Sequence, residues 1–458
     1  MADQTSSESL EPRTDEGVRQ NAAHAKRVAR VARQLRDRKS TAPLSRRKRV
    51  VSHMVPKVHD KKYSDDKIDL LDFDNIIEID PERRICIAEP GVPFNELVDR
   101  TLPLGLVPIV VPELETITIG GAVAGCSIES MSYVYGGFHD TCLEYEIITA
   151  KGDVLTCTPD NEHSLVFQMM HGSFGTVGIL SRLVFRLVPA KPFVHVRYEC
   201  HTSIDSYLES IKRHYERRDV DFMDGMIHSL SHLVLSVGDF VDSAPYTNSY
   251  DWLKVYYKST AERQQDYLKT KDYFFRYNQG VTNVHPKSFL GRLVFGKFLG
   301  STEILRIAEK LRWVFLDDDR PLITVDTFLP FSRLKEFLAW YAEEFRHFPL
   351  WVVPYRRVHD YEWLADSFWK GLDDELMIDI AIYGMKQRGT TNFYRLMEEK
   401  LKELNGIKTL ISYNYYQEDE FWEIFHRENF AKVKAITDPD NIFRDLYQKT
   451  CRAAMGRD

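Results

Sequence analysis

A chain of 458 residues with 43% hydrophobic content carries enough apolar material for two or three cored domains, which excludes a disordered polymer and a small disulfide scaffold. Its net charge is −7, yet residues 26–62 hold 14 Lys and Arg against Asp37 and Asp60, a local +12 that leaves −19 elsewhere. The six cysteines show no Cys-x-x-Cys pair, and the best apolar run, residues 102–111, is cut by Pro103 and Pro108, so neither a disulfide framework nor a membrane-spanning helix is supported.

The polar, acidic start (MADQTSSESLEPRTDEG) lacks the apolar stretch of a secretory signal and reads as a flexible tail on a cytoplasmic protein. Val28, Val31 and Leu35, with Ala25 and Ala32, recur at helical spacing inside the basic stretch 26–39. Such a helix can lie on anionic lipid as a peripheral contact or dock on the chain's own acidic body. Nucleic acid is the weakest partner, because no reader motif follows the basic residues. Residues 1–45 are therefore assigned as a flexible basic head.

Beyond the head, IDLLDF (68–73), IIEID (76–80) and ICIAEPGV (85–92) read as closely spaced strands, followed by a helix over 94–105 that stops at Gly105. CLEYEIITA (142–150) and DVLTCT (153–158) flank a Lys151-Gly152-Asp153 turn, and GILSRLVFRLVPA (178–190) adds a further strand. From Phe193 the pattern changes to strand, helix, strand, so a domain boundary is placed near 190. Residues 250–310 are aromatic and basic with little periodicity, fitting a lid or an apolar tunnel.

The densest chemical signal is residues 112–157, where Gly120, Gly121, Gly125, Gly136 and Gly137 cluster at strand ends. Glycine lets successive backbone N–H groups converge on an anion, although a glycine-rich loop is more often a plain turn. GSFGTVGI (172–179) is a second such loop, and neither segment fits G-x-G-x-x-G or the Walker pattern. His228 and His232 lie four apart with no third ligand suggested, and His139 and His171 beside the glycines fit turn positions as well as cofactor contacts. No metal site is expected.

The order PGV…EL, PEL…TIGG…G…S…YG, AKGD, F…GSFGTVGI…RLV and a closing DPDNIF resembles the PCMH-type FAD domain of the vanillyl-alcohol oxidase flavoproteins. Within that class, IDLLDFDNIIEID, the whole of 112–158, LVPAKPFVHVRYE and DEFWEIF resemble the 24-dehydrocholesterol reductase (Diminuto) family, with actinobacterial methylene-fatty-acyl reductases as further relatives. The likeness runs from about residue 65 to the C-terminus, specific over 112–190 and loose over 240–375. It implies an α+β protein: a two-subdomain FAD-binding domain (46–192), an α+β substrate or cap domain with an antiparallel sheet (193–410), and a C-terminal segment (411–458) packing back on the first.

By position, the resemblance assigns the FAD pyrophosphate to the backbone of Thr118, Ile119, Gly120 and Gly121, with Gly125, Ser127, Ser130 and Gly136 completing the cradle. Gly175, Thr176, Gly178 and Ile179 would border the adenosine or the flavin edge, and Glu113 would orient the first loop. No Gly-Gly-His stretch precedes Ile68, so the FAD is expected to be non-covalent. The N-terminal flavin subdomain looks shortened, with RKRVVSHMVPKVHDKKYS in its place.

The family's reaction is reduction of an isolated C=C in a lipid, with NADPH as electron donor. It asks for a dry pocket and a proton donor, for which tyrosine is suited because it stays protonated near neutral pH. Tyr415, Tyr416 and Tyr383, with Arg356, are the catalytic candidates; Tyr413 and Asp379 lie close to them in sequence. With 23 tyrosines in the chain, packing roles compete with each assignment. An oxidase or dehydrogenase of an alcohol or sugar on the same fold, and a non-catalytic flavin-fold scaffold, remain the other readings.

Overall fold

The computed structural model describes residues 10–48, 57, 60–251, 254–278, 320–452 and 454–456. Much of the aromatic middle segment, 279–319, lies outside them, and with it the lid or tunnel expected there.

The first domain opens with helix α1 (Asp15–Arg36), and the sequence explains both ends. Thr14 caps it by accepting from Gly17 N–H at 3.0 Å, Asp15 and Glu16 occupy the first turn, and Arg33 and Arg36 the last. A parallel pair, β1 (Leu44–Arg47) and β2 (Asp66–Asp69), follows. The main sheet is antiparallel, in the order β3 (Ile76–Asp80), β4 (Ile85–Ala88), β8 (Ile179–Pro189), β6 (Cys142–Ile148), β7 (Val154–Cys157), and β5 (Leu106–Pro108) adds to β8. Helices α2 (Phe94–Thr101) and α3 (Ile119–Gly125) connect its strands.

The basic head is not a flexible tail over residues 15–36. Val28, Val31, Ala32 and Leu35 are buried against Ile68, Leu70, Phe73, Ile148, Ile179 and Phe443, each such side chain contributing roughly 1.5–3 kcal/mol. His24, 2% exposed, bridges two carboxylates, Nδ1 to Glu89 at 2.7 Å and Nε2 to Glu146 at 2.9 Å. Arg27 and Arg30 reach Glu89 and Asp72. Of the two partners left open by the amphipathic pattern, the acidic body has taken the apolar face, which leaves none of it for lipid. No helix among the described residues is long and apolar enough to cross a membrane.

At Pro189 the chain leaves the first sheet, and at Phe193 it enters a second one. This eight-stranded antiparallel sheet runs β12 (Gln265–Lys269), β9 (Phe193–His201), β11 (His232–Val241), β10 (Phe222–Ser229), β14 (Leu350–Arg356), β15 (Leu376–Met385), β13 (Ile323–Pro330), β16 (Ile407–Lys408). Strand alternation gives it two unlike faces. Val325, Leu329, Val352, Ile378, Ile380 and Ile382 pack under helices Ile204–Arg217, Leu334–Glu344 and Phe393–Glu403. The opposite face, with Phe222, Trp351, Val353 and Ala381, shares a core with the first domain. The protein is thus α+β, and the space between the glycine-rich loops and this second face is where a site can form.

Residues after 411 return to the first domain: Ala150 N–H donates to Thr437 O at 2.7 Å, Leu44 N–H to Ile442 O at 2.8 Å, and Arg444 pairs with Asp65 at 2.6 Å.

Candidate functional site

The first glycine segment is pinned from behind. Ile119 N–H donates to Val92 O and Gly120 N–H to Pro90 O, both at 3.0 Å, while Thr118 caps α3 by accepting from Gly121 N–H at 3.3 Å. A Cβ on Gly120 would lie 2.5 Å from that of Pro90. The N–H groups of Ile119, Gly120 and Gly121 are thus spent inside the protein rather than aimed at a pyrophosphate, and the close approach to Pro90 is what requires glycine at 120. Gly125 is different, because a Cβ there would meet nothing within 4 Å.

Ser130 is likewise a joint. Its carbonyl accepts from Met223 N–H of the cap at 2.8 Å and its hydroxyl from Tyr273 at 3.3 Å. Ser127 accepts from Phe138 N–H at 2.9 Å, and Gly136, at φ +80°, turns the chain so that Gly137 N–H meets Asp140 at 2.7 Å.

The second loop lies alongside the first. Gly172 N–H reaches Val123 O at 3.3 Å and Phe174 N–H reaches Ala124 O at 3.0 Å. Thr176 is buried with its hydroxyl on Ser173 O, and Ile179 belongs to the core under α1. Three cations grip this loop by its carbonyls: Arg46 at Gly178, Lys449 at Phe174 (2.7 Å) and Lys434 at Thr176 (3.3 Å). Lys434 is neutralised by Asp438, whereas the hydrogen bonds of Arg46 and Lys449 go to carbonyls. Burial lowers Arg46 to about 10 and, together with the charge of Arg46, holds Lys449 well below the usual lysine range. A dianion would relieve that mutual repulsion.

At its other end the loop borders a cavity. Gly172 lies against Cys126 Sγ and the Trp363 ring, and both of those residues line a cavity that opens partly to solvent. Ile128, Gly137 and His139 complete its first-domain wall; Phe328, Tyr355, Met377 and Ile407 form the cap wall, and Tyr361, Trp363 and Trp369 enclose it. The lining is almost wholly apolar. With an apolar cavity at one end of the loop and two cations at the other, the residues present would suit a molecule with a flat aromatic head and a dianionic diphosphate. FAD is such a molecule.

The cap face beside the cavity also carries acids. Tyr383 donates to Asp326 Oδ1 at 2.5 Å, and Asp379 Oδ1 is buried without a hydrogen-bond partner in the described structure. Burial raises Asp326 to about 6, against the hydrogen bond from Tyr383, and raises Glu113 to about 8 with help from the charges of Asp326 and Glu129. Tyr383 therefore shares the cap face beside the cavity, although it is not one of the residues that line it.

The other catalytic candidates do not. Arg356 follows the cavity residue Tyr355 on β14 and points to the other face, where it pairs with Glu375 at 3.2 Å. Tyr415 packs with the helix-covered core, its N–H on Glu398 at 3.0 Å. Tyr416 is buried against Phe421 and Tyr447 and is not among the lining residues. His228 bonds Thr260 at 3.0 Å beside His232, and no metal-ligating cluster exists among the described residues. Arg46, Lys449, Cys126 and Asp326 were missed by sequence reasoning. The RRKR run at 46–49 is the only local signal that pointed near any of them.

Residues 24–158 match the model of an FAD binding domain. They are a PCMH-type FAD-binding domain. Its match begins at His24, inside α1, so the helix belongs to the domain. The chain is 26% identical to the human Delta(24)-sterol reductase over 423 residues, covering 86% of this chain and 79% of that one. Against the Arabidopsis thaliana Delta(24)-sterol reductase it is 24% identical over 476 residues, 93% and 84% of the two chains. A shorter similarity, 29% over 164 residues, covers 35% of this chain and 28% of the Arabidopsis thaliana Cytokinin dehydrogenase 3. The similarity to Delta(24)-sterol reductases is thus a family-level match over most of the chain, and the protein is an FAD-binding oxidoreductase of that kinship.

Proposed function

We propose that this protein is an NADPH-driven, FAD-dependent reductase of a carbon–carbon double bond in a lipid, either a sterol side chain or an unsaturated or methylene-branched acyl chain. The observation that carries the reading is the apolar cavity between the glycine loops and the acid-bearing face of the cap sheet. Bound flavin would supply a hydride to one alkene carbon. Arg46 and Lys449 would hold its diphosphate, with the Gly172–Gly178 loop between them and the cavity.

Phe328, Tyr355, Met377 and Ile407 would bind an apolar chain and keep water out, which strengthens every charge interaction at the cap face. A sugar or polar alcohol would leave its hydroxyls unpaired against the same wall, which disfavours the oxidase reading.

The visible spectrum of purified protein, before and after anaerobic NADPH and after acid precipitation, tests this. Yellow flavin that bleaches with NADPH and leaves with acid supports the reading. Bound flavin that NADPH fails to bleach moves the assignment to an oxidase, and a colourless protein returns it to a scaffold.

A further inference from the structure

Reduction of an alkene needs a proton as well as a hydride, and the cap face beside the cavity has a group placed to hold one. Register puts Asp379 of β15 opposite Phe328 on β13 and Val353 on β14. Phe328, Tyr355 and Met377 all line the cavity, and Asp379 shares their face, two residues beyond Met377 on the same strand. Its side chain is 4% exposed, and its Oδ1 is buried with no hydrogen-bond partner in the described structure. An ionised carboxylate so placed costs several kcal/mol, and the neutral acid far less.

The surroundings work in the same direction. After burial itself, the charges of Asp326 on β13 and Glu113 ahead of α3 hold Asp379 well above the usual carboxylate range, against the Thr327 and Ile380 amides. Tyr355 on β14 and Tyr383 on β15 also face it, and the positive charge on this cavity, Arg357, is paired with Asp360 at 3.1 Å.

Resting on the reductase reading above, we propose that Asp379, carried in its protonated form, is the catalytic acid for the second alkene carbon, with the Tyr383–Asp326 pair and Glu113 as positioning residues that keep its proton in place. As two electrons and a hydrogen pass from reduced flavin, itself reduced by nicotinamide nucleotide, to one alkene carbon, the Asp379 O–H bond breaks and its proton forms the C–H bond at the other. The carboxylate left behind regains a proton from water.

Two measurements on the full-length protein test this. Infrared spectra across a pH titration should show a carboxylic C=O band at neutral pH in wild type that D379N lacks and E113Q keeps. A D379N spectrum identical to wild type overturns the proposal whatever the substrate proves to be. In anaerobic rapid mixing of NADPH-reduced protein, reoxidation of D379N by a sterol bearing a C24 double bond should be slower than that of wild type by about 10²-fold or more, with loss of its solvent deuterium effect. Reoxidation of D379N at the wild-type rate also overturns it.

Failure of the sterol to reoxidise wild type counts against the sterol form of the reductase reading, and the infrared result then decides the role of Asp379 alone. Y383F adds a readout that a packing role would not move. Asp326 without its hydrogen bond holds its own proton and stops repelling Asp379, so the alkaline limb of reoxidation should shift to lower pH.

Discussion

A Cβ placed on Gly175 would lie 1.9 Å from Nη1 of Arg46. The loop residue sits at φ +75°, where side chains are rarely tolerated, and the guanidinium is held in place by Gly178 O. Glycine at 175 and arginine at 46 thus depend on each other across much of the first domain. G175A is expected to destabilise the protein by about 1–3 kcal/mol, read as a fall in melting temperature, and to release FAD.

Gly125 makes the opposite case. It ends α3 with open space beside it, so G125A should leave the flavin-free protein as stable as wild type, or more so by up to about 1 kcal/mol. If that space is used by the cofactor, FAD affinity measured by fluorescence titration falls in the same variant. Unchanged affinity would show that Gly125 lies off the cofactor's path. G120A, which strikes the Pro90 backbone, should lose stability first.

Arg46 and Lys449 are expected to carry the salt dependence of FAD binding. Replacing either with Met removes one charge-assisted hydrogen bond, worth about 1.5–3 kcal/mol, so affinity should fall by roughly ten- to 150-fold with a shallower response to salt. Titrations of R46M and K449M at two ionic strengths check this. A loss equal to that of the exposed control K432M would refute it.

The docking of α1 should depend on pH through His24. Burial opposes its protonation, but hydrogen bonds and charge from Glu146 and Glu89 raise it overall above the ordinary histidine value. The folded value being the higher one, this stabilisation is fully present below about pH 6.5 and declines as pH rises through the folded value. Melting curves over a pH series should show that decline in wild type and not in H24N.

The triad of Arg276 with Glu129 and Asp224, at 2.9 and 3.2 Å, is completely buried where Ser130 meets the cap. Breaking it by R276M leaves two carboxylates in an apolar core and should cost about 3–5 kcal/mol, measurable by chemical denaturation.

Fold class was legible because it depends on local pattern: β8 reads as a strand in the β-branched and apolar run of residues 178–190, and α1 as apolar positions at helical spacing. What each face would meet was not. Val28 and Leu35 were buried by residues as distant in the chain as Phe443, which no spacing announces. The amides of Ile119 and Gly120 looked available in sequence because Pro90 and Val92 are remote from them. Strand parity separated Tyr355 from Arg356: the strand itself was readable, but which neighbour faced the cavity was decided by the sheet's packing. Arg46 and Lys449 were hidden for the same reason, since a loop can recruit charges from anywhere in the chain.

The grip of Arg46 and Lys449 on one loop also has a bearing on synthesis. A ribosome will have released the glycine loops and most of the cap before residue 449 exists, so the nascent chain holds only half of the clamp. Tight capture of the cofactor would then wait for the turn that carries Lys449, and a product terminated before it would hold FAD more weakly than the protein that contains it.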